Sequence, residues 1–272
     1  MMFTQHMSVC ELDQRVVQRG IVPFFRGCYR SYRNWQKSRG RAIRERKRLQ
    51  KRTKFYSGFI TKGDLCFDIG ANVGTRTEAF LELGAVVVAV EPQKKCSQIL
   101  REKFGDNSKF TLIEKALDNL EGEKELYISN AHTLSSMSSE WIEYVKKENL
   151  FENSNWSEKT VVCTTTLDSL IATFGRPVFC KIDVEGFEYN VLQGLSAPAG
   201  TVSFEFTRGL EGSTSNCINR LSEIGYNRFN YSIGETMSLA LLDWVSADEI
   251  IEIIASMPKT EGLSGDVYAK NS

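Results

Sequence analysis

Residues 66–75 read Cys66-Phe67-Asp68-Ile69-Gly70-Ala71-Asn72-Val73-Gly74-Thr75. The apolar run Leu65–Ile69 carries one carboxylate near its end and is followed at once by two glycines four positions apart. Such a pattern predicts a buried strand that turns sharply into a helix. Gly70 and Gly74 allow the turn, and they let backbone approach a ligand with no Cβ in the way. A strand entering a helix through a tight turn is half of a strand–helix–strand unit, and the chain on either side decides whether the unit repeats.

It does repeat. After Leu65–Ile69 the pattern predicts a helix over 75–83, a strand at 85–90, and a helix at 93–104 with Cys96, Ile99, Leu100 and Phe104 on one face. A third strand is expected near 110–116, and an extra one at 123–129 that pairs back through the Asn119–Gly122 turn. Further strands are expected at 160–165, Val178–Ile182, Val202–Phe206, 226–232 and Val267–Ala269. Between them lie helices at Leu167–Phe174, at 184–195 and up to Ile224. This alternation implies an α/β domain with a mostly parallel sheet covered by helices on both faces. Ligands of such sheets bind beyond the carboxyl ends of the strands, where strand order reverses. The polar stretch 130–160, which carries Trp141 and Trp156, is expected as a loop or small helix over that edge.

Composition agrees with a globular chain: 272 residues, 42% hydrophobic and 25% charged, exclude collagen-like or disordered classes. The strongest apolar run, Ala85–Val90, is far short of a membrane span, and the first residues show no secretory signal pattern. Seven widely spaced cysteines without a CxxC pair, and only two histidines, argue against a structural zinc site or a disulfide framework. A reducing, cytoplasmic setting is the expectation.

The formal net charge of zero conceals an asymmetry. Residues 1–54 hold 15 Lys/Arg against 3 Asp/Glu, and residues 55–272 hold 19 against 31. The chain therefore divides into a basic N-terminal extension, 1–54, and an acidic domain, 55–272. Phe25, Cys28, Tyr29, Tyr32 and Trp35 recur at helical spacing in the extension, and Gly40 is expected to interrupt that helix. Seven of the eleven residues from Arg44 to Lys54 are basic. They suit an anionic partner, either a membrane surface, with the protein peripheral to it, or nucleic acid. They equally suit a solvated helix facing the acidic body of its own chain or of a second copy in a homo-oligomer.

Two constellations carry chemistry. Glu91 closes the second strand, 21 positions after Gly70, where a carboxylate can accept hydrogen bonds from ribose hydroxyls. The turn departs from a dinucleotide fingerprint, because Asn72 replaces the middle glycine and Asp68 lies two residues upstream of Gly70. That carboxylate repels a pyrophosphate and favours a cationic amino-acid moiety, so S-adenosyl-L-methionine (SAM) fits better than NAD. The second constellation is Lys181-Ile182-Asp183-Val184-Glu185-Gly186-Phe187-Glu188. Charges this dense at a buried strand's end need a reason. Asp183 and Glu185 are placed at the reacting end, whereas Glu188 is expected to face solvent. Asp183, Glu185 and His132 are the available bases for deprotonating an acceptor. No third carboxylate for a divalent metal is identifiable, so no metal ligands are assigned.

The runs CFDIGANVGT, VAVEPQ, EKALDNLEG, TTTLDSL, FCKIDVEGFEYNVLQG and GDVYAK occur in this order over residues 55–270. Together they resemble the FkbM family of SAM-dependent methyltransferases. The resemblance implies a seven-stranded class I methyltransferase fold, Rossmann-like, with the last strand antiparallel. It also implies O-methylation of hydroxyls on sugars, glycans or natural-product-type small molecules. By position, Asp68, Gly70, Asn72 and Gly74 would hold the methionine part of the cofactor and Glu91 its ribose. Ala116, Leu117 and Asp118 would lie along the adenine, and Asp183 and Glu185 would line the methyl-transfer site. Three alternatives stay open at this level. These are a nucleic-acid methyltransferase using the basic extension, a non-catalytic SAM-fold protein tethered to an anionic surface, and an NAD-dependent oxidoreductase.

Overall fold

The computed structural model describes residue 40, residues 42–258 and residues 263–271. The chain forms two compact units, Met1–Arg48 and Leu49–Ser272. In the first, residues 42–48 are helical, and Arg48 pairs with Glu45 at 2.8 Å. Gly40 is helical, and the segment before it, where it is expected to interrupt a helix, lies outside the described residues. The helix expected through Phe25–Trp35 lies outside the described residues. No described helix is long and apolar enough to cross a membrane.

The second unit opens with α1 (residues 49–56) and then alternates. In order come β1 (Leu65–Ile69), α2 (Thr75–Glu82), β2 (Val86–Val90), α3 (Lys94–Phe104), β3 (Phe110–Ile113), β4 (Ala116–Leu117) and β5 (Gly122–Ile128). There follow a 3₁₀ turn His132–Leu134, α4 (Ser139–Lys147), β6 (Glu158–Thr165), α5 (Leu167–Phe174), β7 (Phe179–Ile182) and α6 (Glu188–Gln193). The chain then runs through β8 (Thr201–Thr207), α7 (Glu211–Glu223), β9 (Arg228–Ile233), α8 (Ala247–Ser256) and β10 (Ser264–Lys270).

Seven strands make the main sheet in the order β3-β2-β1-β7-β8-β10-β9. All neighbours are parallel except β10, which is antiparallel to both β8 and β9. This is the class I methyltransferase arrangement that the motifs implied. The chain winds outward from β1 to β3 and resumes at β7 on β1's other side. The crevice therefore opens where β1 and β7 part.

Register decides which side chains share a face. Asp68 lies opposite Lys181, Lys181 opposite Ser203, and Ser203 opposite Tyr268, so this face is polar near the crevice. Further down it becomes aromatic. Tyr56 from α1 meets Phe80 and Phe179 edge-on at 4.9 and 5.5 Å, and Phe59 stacks on Tyr268 at 5.6 Å. The opposite face is continuously apolar, with Phe67, Ile69, Cys180, Ile182, Val202, Phe204 and Val267 in one buried cluster.

Three expectations change. The strand foreseen near 110–116 is two elements: β3 ends at Ile113, and β4 joins a separate three-stranded sheet, β4-β6-β5. In that sheet β5 pairs antiparallel with β6, not back through the 119–122 turn with the preceding strand. The helix foreseen over 184–195 begins only at Glu188, because Glu185 and Gly186 both have positive φ (55° and 85°), which a helix excludes. Helix α8, unforeseen, starts at a capping box in which Ser246 and Glu249 satisfy each other's backbone amides.

Candidate active site

A cavity lies over the carboxyl ends of β2, β1 and β7. Its wall runs from Glu91, Ala116 and Leu117 past Gly70 and Asn72 to Asp183 and Glu185. Gly70 has φ 76°, and a Cβ there would run into the carbonyl of Asp183. The two strand tips thus touch because this residue lacks a side chain.

Glu91 is 2% exposed. One carboxylate oxygen accepts the Asn72 amide and the other the Gln93 amide, each at 2.8 Å. Burial pushes its pKa up to about 7, against the pull of those amides. Asp68, also buried, accepts a 2.5 Å hydrogen bond from the Thr77 hydroxyl, and burial raises its pKa too. The Gly70 and Ala71 amides are donated to the Val90 carbonyl, the Asn72 amide to Glu91 and the Gly74 amide to the Ala71 carbonyl. A pyrophosphate needs such turn amides free. Here four of them are engaged, and the turn presents the carboxylates of Asp68 and Glu91.

The β7 end is strongly acidic. Oxygens of Asp183, Glu185 and Glu205 all lie within 4.8 Å of one another. Lys181 is fully buried, 2.7 Å from Asp266 and 3.3 Å from Asp183. Burial disfavours its charge, but Asp183 and Asp266 outweigh that and hold its pKa well above the usual lysine range. Burial and then the neighbouring carboxylates push Glu185 and Glu205 well above the usual carboxylate range. Glu205 is the third carboxylate that sequence reasoning did not find. It sits between Phe204 and Phe206 on β8 and faces a small cleft beside Trp141 and Glu188, behind the cavity wall. A carboxylate inside an apolar run of a sheet covered on both faces was the available signal.

Glu188 corrects the sequence reading. It is buried, and its carboxylate accepts the amides of Val184 (3.1 Å) and Gly186 (3.2 Å). It thereby holds the 183–187 loop in the left-handed turn that places Glu185. Burial raises its pKa to about 7, with those amides acting against it.

The stretch expected to cover the edge does so as a small packed body. Leu134, Trp141, Ile142 and Val145 form its own core, and Ser138 caps α4. It is tied to both constellations. The Ser136 hydroxyl donates to the Glu185 carbonyl at 2.6 Å and Ser135 to Gln93 Oε1 at 2.8 Å. The His132 carbonyl accepts from the side chains of Asn72 and Gln93, both at 3.1 Å. Gly186 lacks the Cβ that would strike Trp141.

A profile of the Methyltransferase FkbM domain matches residues 68–241, from the Asp68 turn to beyond β9. The chain belongs to the FkbM methyltransferase family. No curated protein gives a significant match. Among solved structures, the chain is similar to a ribosomal protein L11 methylase from Lactobacillus delbrueckii subsp. bulgaricus. That pair shares 11% identity, covers 82% of this chain and 78% of the other, and has a TM-score of 0.42. A precorrin-6y C5,15-methyltransferase from Geobacter metallireducens GS-15 gives 10% identity, 81% and 86% coverage and a TM-score of 0.41. Aeropyrum pernix fibrillarin, in complex with natively bound S-adenosyl-L-methionine, gives 12%, 77% and 67%, and 0.38.

In this FkbM methyltransferase the cavity gathers Asp68, Gly70, Asn72, Glu91, Ala116, Leu117, His132, Asp183 and Glu185. Two other residues singled out from the sequence are not in its wall. Gly74 is the left-handed N-cap of α2, and a Cβ there would strike Leu100 and Phe104, so its role is helix packing. Asp118 turns away to pair with Lys124 at 2.7 Å. Among the wall residues not singled out as ligand-binding are Arg52, Arg76 and Glu235. They are distant in sequence from both motifs or carry no motif of their own.

Proposed function

We propose that this FkbM methyltransferase moves the methyl group of SAM to a hydroxyl on a sugar, glycan or natural-product-type acceptor. One observation carries the reading: a single cavity joins a buried, backbone-anchored carboxylate, Glu91, to a set of carboxylates beyond the β1–β7 gap. The residues fit the cofactor. Glu91 suits two ribose hydroxyls, Ala116 and Leu117 offer an apolar wall to a base, and Asp68 suits an α-ammonium. The carboxylates of Asp68 and Glu91 in the wall disfavour the pyrophosphate of NAD.

When bound, SAM supplies an activated methyl on a good leaving group, which leaves the protein alignment and proton management. Glu185 is the proposed proton acceptor. It lines the cavity, no described residue donates a hydrogen bond to its carboxylate, and its high proton affinity suits it to take a hydroxyl proton. Asp183 is half engaged by Lys181, and burial, followed by the charges of Asp183 and Glu188, raises the basicity of Glu185. His132 lies toward Glu91, at the cofactor end.

Calorimetry with SAM and with NADH, followed by tritium transfer from methyl-labelled SAM to a panel of hydroxylated acceptors, tests this. SAM binding with label appearing in an alkali-stable ether is expected. Binding of NADH alone would overturn the cofactor, and label on nitrogen or on RNA would overturn the acceptor class.

A further inference from the structure

SAM is a zwitterion at its amino-acid end, and the reading above accounts for the ammonium but not for the α-carboxylate. Two arginines stand in the cavity wall near Asp68 and Gly70: Arg52 from α1 and Arg76 from the first turn of α2. Their side chains are only 13% and 11% exposed. Arg76 occupies a helix N-terminus, where a cation is disfavoured by the peptide dipoles, so helix stability does not account for it. Nε of each arginine is buried and has no hydrogen-bond acceptor among the described residues. One carboxylate serves both guanidinium groups. Glu235 takes the Arg76 fork at 2.5 and 3.1 Å and lies 3.7 Å from Arg52 Nε. Glu235 is 61% exposed, on the turn after β9, and is the accessible member of the trio. The lysine in the wall, Lys115, adjoins Ala116 and Leu117 at the opposite end.

We infer that Arg76, backed by Arg52, binds the α-carboxylate of the cofactor's methionine tail, and that Glu235 holds the fork until that carboxylate takes its place. The inference rests on the SAM reading. The same chemistry would suit an anionic group on the acceptor, and the ligand pair below separates the two sources.

The test compares S-adenosylhomocysteine, which carries the amino-acid tail, with 5′-methylthioadenosine, which keeps the adenosine and thioether but has no carboxylate. Calorimetry is run on the full chain and on the Arg76→Gln, Arg52→Gln and Glu235→Gln variants. Arg76→Gln is expected to weaken S-adenosylhomocysteine about 10- to 100-fold and to leave methylthioadenosine unchanged. Arg52→Gln should act in the same direction with a smaller loss. Glu235→Gln, which removes the competing carboxylate, should tighten S-adenosylhomocysteine alone, and unchanged or weaker binding overturns the stand-in role. Equal losses for both ligands would show a merely structural arginine and overturn the inference. Full affinity for S-adenosylhomocysteine in both arginine variants would also overturn it and leave the pair to an anionic acceptor. If the unsubstituted chain binds neither compound, the cofactor reading itself falls, and the inference with it.

Discussion

The two ends of the cavity treat carboxylates in opposite ways. At the β2 end, Glu91 has each oxygen fixed by a backbone amide. At the β7 end, Glu185 and Glu205 crowd against Asp183, and their side chains accept no hydrogen bond from any described residue. A satisfied carboxylate recognises: its geometry is set before the ligand arrives. A crowded one with raised proton affinity exchanges protons. In the proposed function, binding and proton transfer are thus divided along one sheet edge, with Gly70 at the join.

The sharpest way to break this division is Glu185→Gln. Turnover is expected to fall about 10²- to 10⁴-fold, while SAM affinity measured by calorimetry stays within a few-fold. Parallel loss of affinity and turnover would erase the distinction between the ends. Next in size is Lys181→Met. It leaves Asp266 and Asp183 without their buried cation, and thermal and denaturant unfolding should report a loss of about 3–5 kcal/mol. A variant as stable as the parent would mean that the acidic end does not depend on this lysine.

Glu91 sharpens the comparison through pH. Its pKa of about 7 in the ligand-free fold lies above the unfolded value of about 4.3. Its contribution to folding is therefore full below that unfolded value and is lost as pH rises through about 7. Ribose hydroxyls donate to the ionised form, so binding should expel a proton. S-adenosylhomocysteine affinity should rise between about pH 5 and 7 and level off above. Calorimetry in buffers of different ionisation enthalpy measures that proton, and Glu91→Gln should abolish its release. The smallest effect is expected from Ser136→Ala, which removes the hydroxyl on the Glu185 carbonyl. A loss of about 0.5–1.5 kcal/mol in stability is expected, with turnover reduced more than SAM affinity; equal effects on both would place the roof's influence at the cofactor end instead.

The β2 end was legible in the chain because its parts are local. Asp68, Gly70 and Asn72 fall within five residues, and Glu91 follows one helix later, so strand and helix periods alone carry them to one edge. Gly74 belonged to the same pattern, yet its reason is contact with Leu100 and Phe104, which no local pattern displays. At the β7 end only Asp183 and Glu185 could be read. Glu205 reaches them by the parallel pairing of β7 with β8, and Glu188 turns inward because the loop before α6 is left-handed. Both facts belong to register and backbone conformation, which a carboxylate among apolar residues hints at without locating.

By itself the sequence determined the alternation of strands and helices, the family and the residues at the β2 end of the cavity. Each depends on residues close in the chain, where periodicity and turn chemistry act. Only the tertiary structure decided the trio of carboxylates, the burial of Glu188, and the meeting of Arg52, Arg76 and Glu235. These join segments many residues apart, and their spacing follows from sheet order and packing, which no local preference encodes.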